Sequence, residues 1–230
     1  MSCLLVLDAS SALCSVALGN QEQHWEITEL QPRGHAQRLL PMVDEVIQAG
    51  GLSRRDINGL AYGRGPGSFT GIRIAASVMQ GIAIALNLPV AGISSLQAVA
   101  QQAFDRSDAT QVLAVMDAHM GEVFWGLFER QADLCCLTGA EHVGSPEQFR
   151  QALENFTGVI AGDGLRLAAL SDLRQDFSDI YPRADVMLRL AQREWAQGAF
   201  GAIDQHQPVY LRDSVAWKKL DEQPSLLKPN

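Results

Sequence analysis

The apolar run Cys3-Leu-Leu-Val-Leu ends on Asp8, the small polar pair Ser10-Ser11 follows, and Cys14-Ser-Val-Ala-Leu-Gly19 returns to an apolar pattern. This spacing predicts a strand, a turn and its returning strand, with a third over Trp25–Thr28, the opening of a mixed sheet. From His35 to Ala49 the period changes: Leu39, Leu40, Val43, Val46 and Ile47 recur at helical spacing, while Asp44, Glu45 and Gln48 fall elsewhere on the wheel. Pro41 lacks an amide proton, so it is expected in the first turn or at a kink, and Gly50-Gly51 ends the helix. A short strand over Gly59–Gly63 runs into Gly63-Arg-Gly-Pro-Gly-Ser-Phe-Thr-Gly71, and a second helix follows over about 70–86. Pro89–Ile93 reads as a strand, and Ser94-Ser95 caps a helix reaching Phe104.

After the polar stretch Asp105–Asp108 the pattern restarts. Val112–Asp117 and Glu122–Phe128 read as a hairpin around Met120-Gly121, then come a helix over Pro146–Asn155, a strand over Val159–Ala161 and a helix over Ala184–Gln197. Sheet, helices, sheet, helices predicts an α/β protein of two lobes: residues 1–104 with the glycine loop, and a smaller lobe over 105–230 whose tail packs back on the first.

Composition narrows the function classes. With 47% hydrophobic and 19% charged residues the chain is ordinarily globular. A formal net charge of −8 disfavours a direct grip on phosphate backbones, so a nucleic-acid role is expected to run through a partner. Cys3, Cys14, Cys135 and Cys136 form no C-x-x-C pair and read as reduced packing residues of a cytoplasmic protein. Met1–Asp8 has no basic n-region, so no signal peptide is expected. The run Ile72–Leu86 is short for a membrane span and reads as a buried helix.

That helix has no polar face. Ile72, Ile74, Val78, Met79, Ile82, Ile84 and Leu86 point in every direction, so it is buried within its own lobe or covered on one side by a second chain. In the loop before it, five of nine residues are Gly or Pro. They serve either a tight turn packed on a neighbour or, with a helix N-terminus beside them, an anion site. No Lys-Ser or Lys-Thr follows, so it is not a Walker loop. Asp8 reads as a turn residue or as a group orienting a phosphate or a metal-bound water. Asp117 and Glu122 are either solvated turn carboxylates or an acid–base pair. The five histidines are scattered, so no protein-built metal site is expected, and no G-x-S-x-G elbow marks a nucleophile. The tail Tyr210–Lys219, aromatic and basic, docks on protein or touches RNA.

At Gly63-Arg-Gly-Pro-Gly-Ser-Phe-Thr-Gly-Ile-Arg73 the chain resembles the bacterial TsaB family of threonylcarbamoyladenosine-biosynthesis proteins, formerly called glycoprotease-like. Leu7-Asp8-Ala-Ser, Cys14–Leu18, His35 with Leu39–Met42, Asp117-Ala118 with Gly121-Glu-Val123, Pro208–Arg212 and Val215–Lys218 carry the same likeness in order. The resemblance implies a two-lobed fold of the actin/Hsp70/sugar-kinase class and a non-catalytic subunit. Its partner is a TsaD-type paralogue that moves threonylcarbamoyl onto the adenosine beside the anticodon of ANN-decoding tRNAs, with a TsaE-type ATPase in the assembly and tRNA reached through the complex. It also implies a homodimer when the paralogue is absent and no membrane.

By the same resemblance the helices over 35–49 and 70–86 form the contact, with His35, Leu39, Met42, Val43, Val46, Ile72, Ala75, Ala76, Met79 and Ala83 at the interface. A charge placed at Met79 or Ala76 is then expected to block docking and leave the fold intact. Asp8, Gly65, Gly67, Ser68, Thr70, Gly71 and Arg73 make up the candidate nucleotide or phosphate loop. No cofactor is required, although ATP or ADP fits between the partners. Ala75, His119 and Phe124 stand where the family commonly has glycine, arginine and tyrosine, and the second lobe is short for an ordinary ATP cleft. The competing readings are a nucleotide-dependent ATPase or phosphotransferase using Asp8, and a homodimeric binding protein.

Overall fold

The computed structural model describes residues 2–31 and 33–212. The first sheet has the order β3-β2-β1-β4-β5. Its strands are β1 (Cys3–Asp8), β2 (Leu13–Gly19), β3 (His24–Leu30), β4 (Ile57–Gly65) and β5 (Val90–Ser94). β1 pairs antiparallel with β2 and parallel with β4, so the sheet is mixed. Alternation along β1 sends Leu5 and Leu7 toward helices α1 (His35–Ala49) and α2 (Phe69–Leu86). Leu4 and Val6 point the other way, toward α5 (Ala184–Ala196). Burial on both faces is why β1 reads as an unbroken apolar run.

The second sheet has the order β8-β7-β6-β9, with β6 (Gln111–Asp117), β7 (Val123–Gln131), β8 (Leu134–Gly144) and β9 (Val159–Ala161). Helix α3 (Ser95–Asp105) covers one face through Leu96, Val99 and Phe104. Phe149 of α4 (Pro146–Ala152) packs on the other. The two halves are tied by a half-buried network in which Ser94 Oγ donates to Glu141 and Arg64 Nη1 donates to the same carboxylate at 3.1 Å.

Three features differ from, or go beyond, the sequence reading. Dividing the chain at residue 105 fails for α5, which belongs with the first sheet: Val186, Met187 and Leu190 share a core with Leu4, Val6 and Ala61. Strand β8 has no counterpart in the sequence reading, because only Cys135 and Gly144 in it are buried and a register shift opposite Trp125–Leu127 breaks its alternation. Of the two places expected for Pro41, the first turn is excluded: it lies inside α1 on the exposed face, where its missing amide leaves the Gln37 carbonyl without its usual intrahelical donor.

Candidate functional site

The all-apolar helix α2 is not buried all round. Gly71, Ile72, Ala75, Ala76, Met79 and Ala83, spaced by three and four residues, are the buried side and lie against the first sheet. On the outward side Ile74, Val78 and Ile82 are half-buried and Ile84 is 73% exposed. Helix α1 divides the same way: Leu39, Met42, Val43 and Val46 face the sheet, while Leu40 is 51% exposed. Between the outward sides runs a groove of about 540 Å³, lined by Leu40, Val78, Gly81, Ile82 and Leu86, with the Asp44–Arg54 ion pair (2.7 Å) on its wall.

This corrects the residue list of the contact. Leu39, Met42, Val46, Ile72, Ala75, Ala76, Met79 and Ala83 are core residues of this chain, whereas Val43, also buried, lines the floor of the groove. His35 is half-buried and its Nε2 sits 3.2 Å from the Leu13 carbonyl, which can only accept, so that nitrogen carries the proton. Periodicity identifies helix faces, but on a helix apolar all round it does not say which face meets the sheet.

The glycine loop is explained by close packing. A side chain at Gly67 would lie 2.3 Å from the Ser10 carbonyl oxygen, and one at Gly71 would lie 1.8 Å from that of Ala9. The Ser68 amide donates to the Ser10 carbonyl at 2.8 Å, and Ser68 Oγ caps α2 by accepting from the Gly71 amide. Gly65 has φ +96°, a conformation that favours glycine. Between the two readings of this loop, the tight turn accounts for its glycines.

Ser68, Thr70 and Gly71 also border a cleft of about 680 Å³ that runs to Asp117, His119 and Asp163 of the second half. Asp8 does not reach it. The carboxylate is fully buried, Oδ2 accepts from the Ser10 amide at 3.3 Å and Oδ1 has no partner among the described residues. Burial raises its pKa to about 6, against a smaller opposing effect of hydrogen bonding from Ser10. Arg73 turns away to Phe69 and Tyr210. Asp117 and Glu122 are not paired with each other: Asp117 Oδ1 accepts from the His119 amide at 2.7 Å, and Glu122 accepts from Arg212. Asp163, raised to about 6 mainly by burial, is the carboxylate the sequence reading missed. Its signal was Gly162-Asp163-Gly164 directly after a strand, with Gly162 at φ +123°. Among the described residues no three His, Cys, Asp or Glu side chains gather as a metal site. The Val215–Lys218 stretch lies outside the described residues.

Two mixed sheets flanked by helices, one glycine-looped half and one shorter half define a two-lobed α/β protein of the actin-like class. The family model described as "TsaD: tRNA N6-adenosine threonylcarbamoyltransferase" matches residues 27–153. The tRNA threonylcarbamoyladenosine biosynthesis protein TsaB of Escherichia coli is 40% identical over 225 residues, covering 94% of this chain and 97% of that one. Its counterpart in Haemophilus influenzae is 39% identical, covering 94% and 96%. A solved structure titled "YeaZ from Pseudomonas aeruginosa" superposes with a TM-score of 0.81 at 38% identity, covering 92% of this chain and all (100%) of that one. The chain belongs to the TsaB family of tRNA threonylcarbamoyladenosine biosynthesis proteins.

Proposed function

We propose that this chain is a non-catalytic subunit in tRNA threonylcarbamoyladenosine biosynthesis that docks a TsaD-type transferase on the outward face of α1 and α2. The observation carrying this reading is that face itself: an apolar groove continued by exposed Leu40 and Ile84 is a surface that water does not favour. Likeness to the transferase supports it. The family model bearing that name spans both helices, and a transferase from Nitrosospira multiformis is 39% identical over 90 residues, although that match covers only 26% of the enzyme. A partner built on the same helices presents a matching apolar pair, and the same surface accepts a second copy of this chain when the transferase is absent. A TsaE-type ATPase completes the assembly, and the tRNA is brought chiefly by the partner, consistent with the net charge of −8.

Gly81→Arg tests the docking surface. Gly81 is exposed on α2, and a side chain added there meets nothing within 4 Å, so the fold is expected to hold or gain up to about 1 kcal/mol of helix propensity. The same arginine reaches into the groove. Co-purification with the transferase, and threonylcarbamoylation of tRNA in a mixture that depends on this chain, are both expected to fall at least about tenfold, equivalent to about 1.4 kcal/mol. Wild-type levels of both with a folded variant would remove this face as the docking site.

A further inference from the structure

All three lysines of the chain, Lys218, Lys219 and Lys228, lie beyond Arg212, the last described residue, and every basic side chain before it is an arginine or a histidine. The same eighteen residues, 213–230, carry Val215, Trp217, Leu220, Leu226 and Leu227, an apolar set that so short a segment cannot bury within itself.

The place where the described chain ends sets what those residues can reach. Tyr210 stands at the start of α2, its hydroxyl accepting from Arg73 Nε at 3.0 Å and its ring centroid 5.6 Å from that of Phe69. Leu211 packs on the core of the second half, and Arg212 is fixed by Glu122 and the Ala118 carbonyl. Phe69 and Arg73 border an open hollow of about 430 Å³, and Ser77 and Val78 line both that hollow and the groove between α1 and α2. One largely apolar trough therefore runs from beside the chain's exit to Leu86. From Arg73 to Leu86 the helix rises about 20 Å, whereas eighteen residues span at most about 60 Å. Trp217, five residues beyond Arg212, reaches up to about 17 Å, which takes in Val78. Asp44 on the groove wall and its neighbour Glu45 are exposed and paired with Arg54 and Arg38. Exposed pairs of this kind contribute little, so a lysine can share either carboxylate at small cost.

We propose that residues 213–230 lie in the trough of their own α1 and α2, with Trp217 in the groove and Lys218 or Lys219 beside Asp44, and so compete with the partner for that face. The seat needs only the groove, whereas the competition rests on the docking reading above. A tether this short holds the tail at an effective concentration on the order of mM, so it fills the face ahead of a second copy in dilute solution. A docked partner displaces it.

The test treats a dilute mixture of isotopically labelled and unlabelled full chains with a carbodiimide, which joins a lysine to a carboxylate it touches, and identifies the linked peptides by mass spectrometry. Since the lysines are confined to 213–230, every lysine link reports on the tail. Links from Lys218 or Lys219 to Asp44 or Glu45 within single chains are expected. Trp217→Glu and Gly81→Arg are each expected to lower their yield about tenfold or more, with circular dichroism unchanged. Lysine links to other carboxylates only, or only between labelled and unlabelled chains, overturn the seat. Affinity for the transferase is the second readout. A tail covering about nine-tenths of the molecules raises the apparent Kd about tenfold, so Trp217→Glu is expected to tighten transferase binding by that factor. Weaker binding in Trp217→Glu overturns the competition and makes the tail part of the partner's contact. Links within single chains, with transferase affinity unchanged, uphold the seat and remove the α1/α2 face as the docking site.

Discussion

Met79→Glu is expected to leave little folded protein. Met79 is 0% exposed and packs in the core that joins α1 and α2 to the first sheet, with Leu39, Met42 and Tyr62 in the same cluster. A carboxylate there finds no cation among the residues of that apolar cluster. It either ionises without compensation or stays protonated far above the usual carboxylate range, and in both cases the native state is destabilised. An uncompensated buried charge costs about 3–5 kcal/mol, against a total stability of about 5–15 kcal/mol for a native protein. Ala76→Arg, at 5% exposure on the same side, fails for the same reason and by overpacking as well. Ile84→Glu, on the outward side, is expected to stay within about 0.5 kcal/mol of wild type. Thermal unfolding of the three variants decides the matter: a cooperative transition near the wild-type temperature for Met79→Glu would mean that this stripe does not face the sheet. The expectation that a charge at Met79 or Ala76 reports on docking alone is thereby withdrawn.

Stability is expected to fall by on the order of 3 kcal/mol as the pH rises from about 4 to about 7, because of Asp8 alone. In the unfolded chain an aspartate titrates near 3.9, whereas the buried Asp8 titrates at about 6. Between those values the native state holds a proton that the unfolded state has released, so raising the pH favours unfolding, and the loss is complete once the native carboxylate ionises. The native carboxyl keeps its proton over about two more pH units than the unfolded one, and each is worth about 1.4 kcal/mol. Asp163, also raised to about 6, adds a slope of the same sign in the same window. Glu29, held down to about 2 by Arg38, has the opposite sign but acts below pH 4.5, where its unfolded counterpart is already protonated. Urea unfolding of wild type and Asp8→Asn at pH 4, 5, 6 and 7 isolates the Asp8 part. The difference between the two proteins should change by about 3 kcal/mol across the series, and parallel curves would show that Asp8 titrates normally.

Much of the secondary structure was legible in the residues. Helix α1 runs over the residues its periodicity marked, Ser94 caps α3 by accepting from the Gln97 amide, and β9 is the short apolar run Val159–Ala161. Local signals sufficed there because each element meets its neighbours with one regular face. They were insufficient for β8, whose exposed residues carry no buried alternation, and for the placement of α5, a helix the periodicity did mark but which packs on the sheet whose strands end at Ser94.

The site divides along the same line. The glycine loop was visible, but its composition allowed two explanations, and the carbonyls of Ala9 and Ser10 that its glycines must clear come from a different part of the chain. Asp163 and the Phe69–Arg73–Tyr210 cluster are likewise products of distant segments meeting, with Tyr210 lying 137 residues beyond the arginine that bonds it.

Apart from β8, the main strands and helices, their order and the presence of a helix too apolar to stand free in water follow from residues a few positions apart, so the linear chain was enough to define them. Which side of that helix became core and which became surface was settled in three dimensions. An apolar helix satisfies the hydrophobic effect equally well with either face inward, and the choice was made by the shape of the sheet: small residues Ala75, Ala76 and Ala83 let α2 approach its strands, leaving Val78, Ile82 and Ile84 to form the outer face.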